Sequence, residues 1–168
     1  MGIFTIFIII IVSSYVLRFL KNSPLVDQER HEKRYQYKRK GFSLTRAEHE
    51  CYDALISAVG KEFYIFPQVH LASLLDNKIV GQNWRAALAH INRKSVDFVL
   101  CDKAYISPKL AIELDDKTHE RPDRQERDKE VEDVLGGAGM PLLRLQNYGH
   151  FNPNELSAKI MATLKNAH

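Results

Sequence analysis

Cysteine is nearly absent from this chain: Cys51 and Cys101 are the only two in 168 residues, and they do not form a Cys-x-x-Cys spacing. That excludes a zinc site built from four cysteines and argues against a disulfide framework. Both read as small buried apolar residues, Cys51 on a helical apolar face and Cys101 at a strand end. No Gly-Lys-Ser/Thr follows Gly136, Gly137 and Gly139, so these glycines end a helix and turn the chain instead of cradling a phosphate. There is no internal repeat, and the length allows one domain with a real core plus a short appendage. The net charge is only +3 and the pI about 8.8, which permits a polyanionic partner without demanding one.

Charge is also missing from Gly2 to Leu17, where Ile3, Phe4, Ile6, Phe7, Ile8, Ile9, Ile10, Ile11 and Val12 form an apolar block interrupted by Thr5. Extended through Leu20, the block spans roughly 28 Å as a helix, close to the hydrocarbon thickness of a bilayer. Residues 1–20 are therefore expected to form one transmembrane helix. A cleaved signal peptide or a misplaced start codon is the competing reading, but no positive segment precedes the block and no clear small-x-small site follows it. The first positive charges are Arg18 and Lys21, which places the C-terminal side in the cytoplasm by the positive-inside rule.

Residues 21–43 read as a basic juxtamembrane linker without apolar periodicity. Arg18, Lys21, Arg30, Lys33, Arg34, Lys38, Arg39 and Lys40 stand against Asp27, Glu29 and Glu32. The plainer reading is a solvated tether that fixes topology, each basic side chain near anionic lipid contributing roughly 1 kcal/mol. The alternative is a nucleic-acid contact strip, with Tyr35 and Tyr37 interleaved among Lys38, Arg39 and Lys40.

Residues 44–168 are expected to fold as one α/β domain. Thr45 followed by Glu48 is a capping box, and Leu44, Ala47, Cys51, Leu55 and Val59 recur at helical spacing. Glu62 to Val69 is aromatic and β-branched enough for a strand, with Pro67 marking an edge or bend. Short helices are expected around Leu71 to Leu75 and from Trp84, read as a core residue, to Ile91. Ser95 to Cys101 and Leu110 to Asp115 are strands joined by a segment of hairpin length, hence antiparallel neighbours. A charged helix from Asp123 to Leu135, a strand from Pro141 to Leu145 and a final helix after Asn152 and Pro153 complete the order. The last helix is expected to present Leu156, Ile160, Met161 and Leu164 on one face. The sum is a mixed sheet with helices on both faces, a three-layer α/β/α domain.

The acids inside the two central strands are the informative feature. Ionised carboxylates are costly to bury without a partner, and strand alternation puts Glu113 and Asp115 on one face, with Asp97 joining them if the register allows. Carboxylates so grouped supply the hard oxygen ligands that Mg²⁺ or Mn²⁺ prefers. Such an ion activates water and neutralises charge in phosphodiester hydrolysis.

The Val-Asp-Phe-Val strand around Asp97, the Glu-x-Asp-Asp-x-x-His run from Glu113 to His119, the Arg127-Asp128 pair and the Gly-x-Pro-Leu-Leu-Arg-Leu strand resemble a known family. It is the bacterial domain of unknown function 2726, placed in the PD-(D/E)XK restriction-endonuclease-like superfamily, with a pattern close to the very-short-patch repair endonucleases. The resemblance covers about Leu44 to Gln146. It implies a three-layer restriction-endonuclease-like core with a four-stranded mixed sheet, Asp97 and Glu113 as metal ligands, and Glu48 as the first-helix acid. One position departs from the superfamily: Asp115 stands where the pattern has a Lys. Lys117 or His119 from the adjoining loop, or Arg124, Gln125 or Arg127 from the next helix, are the candidates to take its place.

Plainer roles stand beside these. Glu48 is fully explained by the capping box, Asp115 and Asp116 can start a turn, and His119 can be an exposed loop residue. Asp128 shares a helical face with Val131 and Leu135 and has Arg124 one turn earlier, while Arg144 suits a sheet-edge salt bridge. Asp97 has no local capping or turn role to explain it. The expected function is therefore a bacterial inner-membrane, metal-dependent nuclease acting on DNA, or a module that keeps the fold, has lost turnover and binds nucleic acid or a protein partner. If residues 1–20 anchor the chain, the full-length protein should sediment with membranes and resist carbonate extraction, and a chain lacking them should be soluble and folded. Recovery of the full chain from the cytosol defeats the anchor, and a shortened mature N-terminus by mass spectrometry points to a cleaved signal.

Overall fold

The computed structural model describes residues 2–21, 35–115 and 122–167, with the side chains of residues 3, 4, 7, 20, 21 and 122–125 outside that description. The chain divides into two compact units, Met1–Lys40 and Gly41–His168.

In the first unit, helix α1 runs over Gly2–Lys21. Two of its hydroxyls turn back onto the backbone, Thr5 Oγ1 donating to Gly2 O and Ser14 Oγ to Ile11 O, each at 2.9 Å. Among the described residues no helix is long and apolar enough to cross a membrane. The anchor expected from the sequence thus gains no support from the fold, and part of it, at residues 1, 3, 4, 7 and 20, lies outside the described side chains. The same holds for the linker between residues 22 and 34.

The second unit opens with α2, Arg46–Val59, on the expected capping box: Thr45 Oγ1 accepts from Glu48 N at 3.3 Å while Glu48 Oε2 accepts from Thr45 N at 2.6 Å. There follow β1 (Phe63–His70), a 3-10 turn (Leu71–Ser73), α3 (Trp84–Ile91), β2 (Ser95–Asp102), β3 (Pro108–Asp115), α4 (Pro122–Gly137), β4 (Leu142–Gln146) and α5 (Pro153–Asn166). Asn83 and Asn152 cap α3 and α5 through their side-chain oxygens. Gly139, at φ +70°, ends α4 in a Schellman turn in which Met140 N donates to Leu135 O at 2.9 Å.

The sheet order is β1-β2-β3-β4, antiparallel between β1 and β2 and between β2 and β3, parallel between β3 and β4. A hairpin suffices for the antiparallel pair β2–β3, whereas the parallel pair needs the crossover that α4 supplies. The four-stranded mixed sheet flanked by helices is as expected. On one face Ile65, Phe98, Leu100, Leu110, Ile112 and Leu145 pack against Cys51, Leu55 and Val59 of α2 and Leu156 and Ile160 of α5. On the other, Val96, Val99, Cys101 and Ala111 meet Leu71, Ile91 of α3, and Val131 and Leu135 of α4. Both cysteines are free and buried.

Two expectations about burial are corrected. Trp84 is 44% exposed, because α3 is so short that it buries only Ile91, and Arg85 lies over the indole at 5.0 Å. Met161 is 41% exposed, since Leu156 and Ile160, one turn apart, form the buried line of α5 and the next residue is rotated off it.

Candidate functional site

One end of the sheet gathers the polar residues of the central strands. The strand directions bring together the ends of β1, β3 and β4 with the start of β2. The β2–β3 ladder ends at Phe98↔Ile112. One step further, where Asp97 would oppose Glu113, a side chain replaces backbone pairing: Asp97 Oδ2 accepts from Leu114 N at 2.8 Å. The half-buried amide is satisfied and the carboxylate is pinned.

Across β1, Gln68 stands between the paired Pro67↔Phe98 and Val69↔Val96, with φ +51°. That left-handed backbone is uncommon outside glycine. Gln68 Nε2 donates to Glu48 Oε1 at 2.8 Å and, at a longer 3.4 Å, to Asp97 Oδ1. Glu48 thus serves twice, one oxygen capping α2 and the other meeting Gln68.

Glu113 is half-buried, and its pKa is pushed up to about 8, first by burial and then by the Asp97 charge, with Asp128 and Asp115 adding and Arg144 opposing. Burial also raises Asp97, against the Leu114 N–H that lowers it, with Glu48 raising it and hydrogen bonds to Gln68 and Glu113 lowering it. At neutral pH Glu113 therefore keeps its proton and shares it with Asp97 as a carboxyl–carboxylate pair. The Cys51 thiol beside them is pushed up to about 12 by burial and the Asp97 charge, so it stays protonated.

Asp115 belongs to a second group. Its Oδ1 accepts from Arg144 Nη1 at 3.2 Å and its Oδ2 from Gln146 Nε2 at 3.1 Å. Arg144 Nη2 lies 3.9 Å from Asp128 Oδ2, and Arg144 Nε is buried without a hydrogen-bond partner among the described residues. The sheet-edge salt bridge expected of Arg144 is therefore present, with the parallel register setting Arg144 beside Glu113 and Gln146 beside Asp115.

Of the candidates read from the sequence, Glu48 and Asp97 meet through Gln68, Asp97 meets Glu113 directly, and Asp115 and Asp128 meet through Arg144. Arg127 lines a separate groove on α4. Lys117 and His119 lie outside the described residues, as do the side chains of Arg124 and Gln125. Among the described residues no group of three or more His, Cys, Asp or Glu is placed to hold a metal ion. Gln68 was not singled out by its sequence; the available signal was a polar residue directly after Pro67 in an otherwise apolar strand.

The fold and the acid pair define a class: an α/β domain whose mixed four-stranded sheet collects half-buried carboxylates at one end. The chain belongs to the family described as Protein of unknown function (DUF2726), whose model matches residues 42–164. No curated protein and no solved structure matches it.

The carboxyl pair makes stability depend on pH. Glu113 has a folded pKa of about 8 against an ordinary 4.5, so the folded state holds a proton that the unfolded chain releases. Its contribution is fully present below pH 4.5 and is lost as pH rises through about 8. In chelator, the melting temperature should fall across that window, and Glu113→Gln should remove most of the slope. An unaltered slope in E113Q would assign the titration to another group.

Proposed function

We propose that this domain is a metal-dependent nuclease of the PD-(D/E)XK restriction-endonuclease-like type, hydrolysing phosphodiester bonds of DNA with Mg²⁺ or Mn²⁺ at Asp97 and Glu113. The observation that carries this reading is the placement of two half-buried carboxyls against one another where the β2–β3 ladder ends, Asp97 pinned there by the Leu114 N–H. Two half-buried acids in contact are stable only with positive charge between them, and a divalent ion fits hard oxygen donors that a proton otherwise reconciles. Asp97 and Glu113 would hold the ion, and Asp115 could join them only by giving up Arg144 and Gln146. When bound, the ion supplies activation of water and neutralises charge developing on the phosphate.

The chain's own residues do the positioning. The Leu114 N–H fixes the Asp97 carboxylate, and Gln68 spaces it from Glu48 without adding charge. Arg144 brings a cation beside Glu113 on the neighbouring strand, on the side where Asp115 replaces the superfamily's Lys. His119 remains the candidate base. The membrane part of the reading rests on the uncharged run from Gly2 to Leu17 and on the exposed apolar side chains of α1, among them Ile6, Ile9 and Val12, which call for an apolar surrounding. A single-pass helix with the domain in the cytoplasm satisfies both.

The engagement of both Asp115 oxygens favours a second reading, a nuclease-fold module that has lost turnover and binds nucleic acid or a protein partner. Calorimetry and cleavage assays separate the two. Asp97→Asn and Glu113→Gln should each abolish Mg²⁺ binding while the fold survives, and each should cut Mg²⁺-dependent DNA cleavage by orders of magnitude, about 1.4 kcal/mol per tenfold. If both variants bind Mg²⁺ like the parent, the acid pair is not the site. If the parent binds Mg²⁺ and leaves DNA intact, the inactive module is correct.

A further inference from the structure

We propose that the groove between the C-terminal end of α3 and helix α4 binds the phosphate backbone of a nucleic acid beside the acid pair. The proposal deepens the nuclease reading by naming where its substrate is gripped. The groove, about 530 Å³, is lined by Ala89, His90, Arg93, Lys94, Arg127 and Glu130. Three permanent cations face one carboxylate there.

The lining is built from two parts. Lys94 is only 14% exposed and is held by Glu130 Oε2 and by His90 O, each at 2.9 Å, so it clasps α4 to the end of α3. Its charge is partly spent on that clasp. Arg93 and Arg127 are exposed and have no ion-pair partner among the described residues. Two exposed guanidiniums lining one open groove suit phosphate oxygens, which arginine meets through its planar fork of donors.

Position is the second argument. Lys94 precedes β2, whose third residue is Asp97, so the two are separated by roughly 10 Å of extended chain. Arg127 directly precedes Asp128, which meets Arg144 next to Glu113. Groove and acid pair therefore share two short segments of chain. A strand gripped in the groove would reach the acid pair within about three nucleotide steps at ~3.4 Å each. Negative carboxylates by themselves repel a polyanion, so a phosphate can approach them only where neighbouring cations offset that repulsion.

The test is salt-dependent binding of a short fluorescent DNA duplex to the full chain in chelator, where no metal-dependent turnover interferes. Each lost phosphate contact flattens the dependence of log affinity on log salt by about 0.9, so R93A/R127A should flatten it by about 1.8. The affinity lost between about 50 and 200 mM salt should then shrink roughly tenfold. Glu130→Gln, which releases Lys94 from its clasp, should steepen the dependence. An unchanged slope in R93A/R127A, or a parent chain that does not bind DNA, overturns the proposal. Cleavage with Mg²⁺ is scored separately: binding through the groove without cleavage sinks the hydrolytic reading alone, and cleavage with an unchanged slope sinks the groove alone.

Discussion

The end of the β2–β3 ladder is the constraint on which the site depends. Beyond Phe98↔Ile112 the half-buried Leu114 N–H has no partner on β2, and an amide there must find another acceptor. Asp97 supplies it with Oδ2, which fixes a carboxylate directly against Glu113. From that point the chemistry follows from electrostatics. Two negative charges cannot readily share a half-buried place, so burial and the Asp97 charge favour the protonated form of Glu113.

The surroundings divide the labour between neutral and charged groups. On the α2 side, the Gln68 amide links Asp97 to Glu48 and leaves the local charge unaltered. On the β4 side, Arg144 balances Asp115 and Asp128 and tempers the repulsion on Glu113. The separation of the two groups leaves the repulsion between Asp97 and Glu113 only partly offset.

That layout also bears on how a polyanion could approach. The acid pair repels phosphate, while Arg93 and Arg127 flank a groove whose floor Lys94 and Glu130 close. The chain connects the two directly, through residues 94–97 and through the Arg127-Asp128 step.

Local rules were enough to read most of the elements. The Thr45–Glu48 capping box, Asn152 before Pro153, the alternation in Ser95 to Cys101 and the glycines ending α4 each act over a few residues, and the elements fall within two residues of where those signals put them. The acids of the central strands were legible for the same reason, since a carboxylate inside an apolar strand stands out whatever lies around it. What only the tertiary structure decided was pairing. Gln68 reaches Glu48 from twenty residues away, Asp115 meets Arg144 from twenty-nine, and Trp84 stays exposed because its helix buries a single side chain. Such contacts depend on strand register and on how closely remote segments approach, and periodicity along the chain carries no information about either.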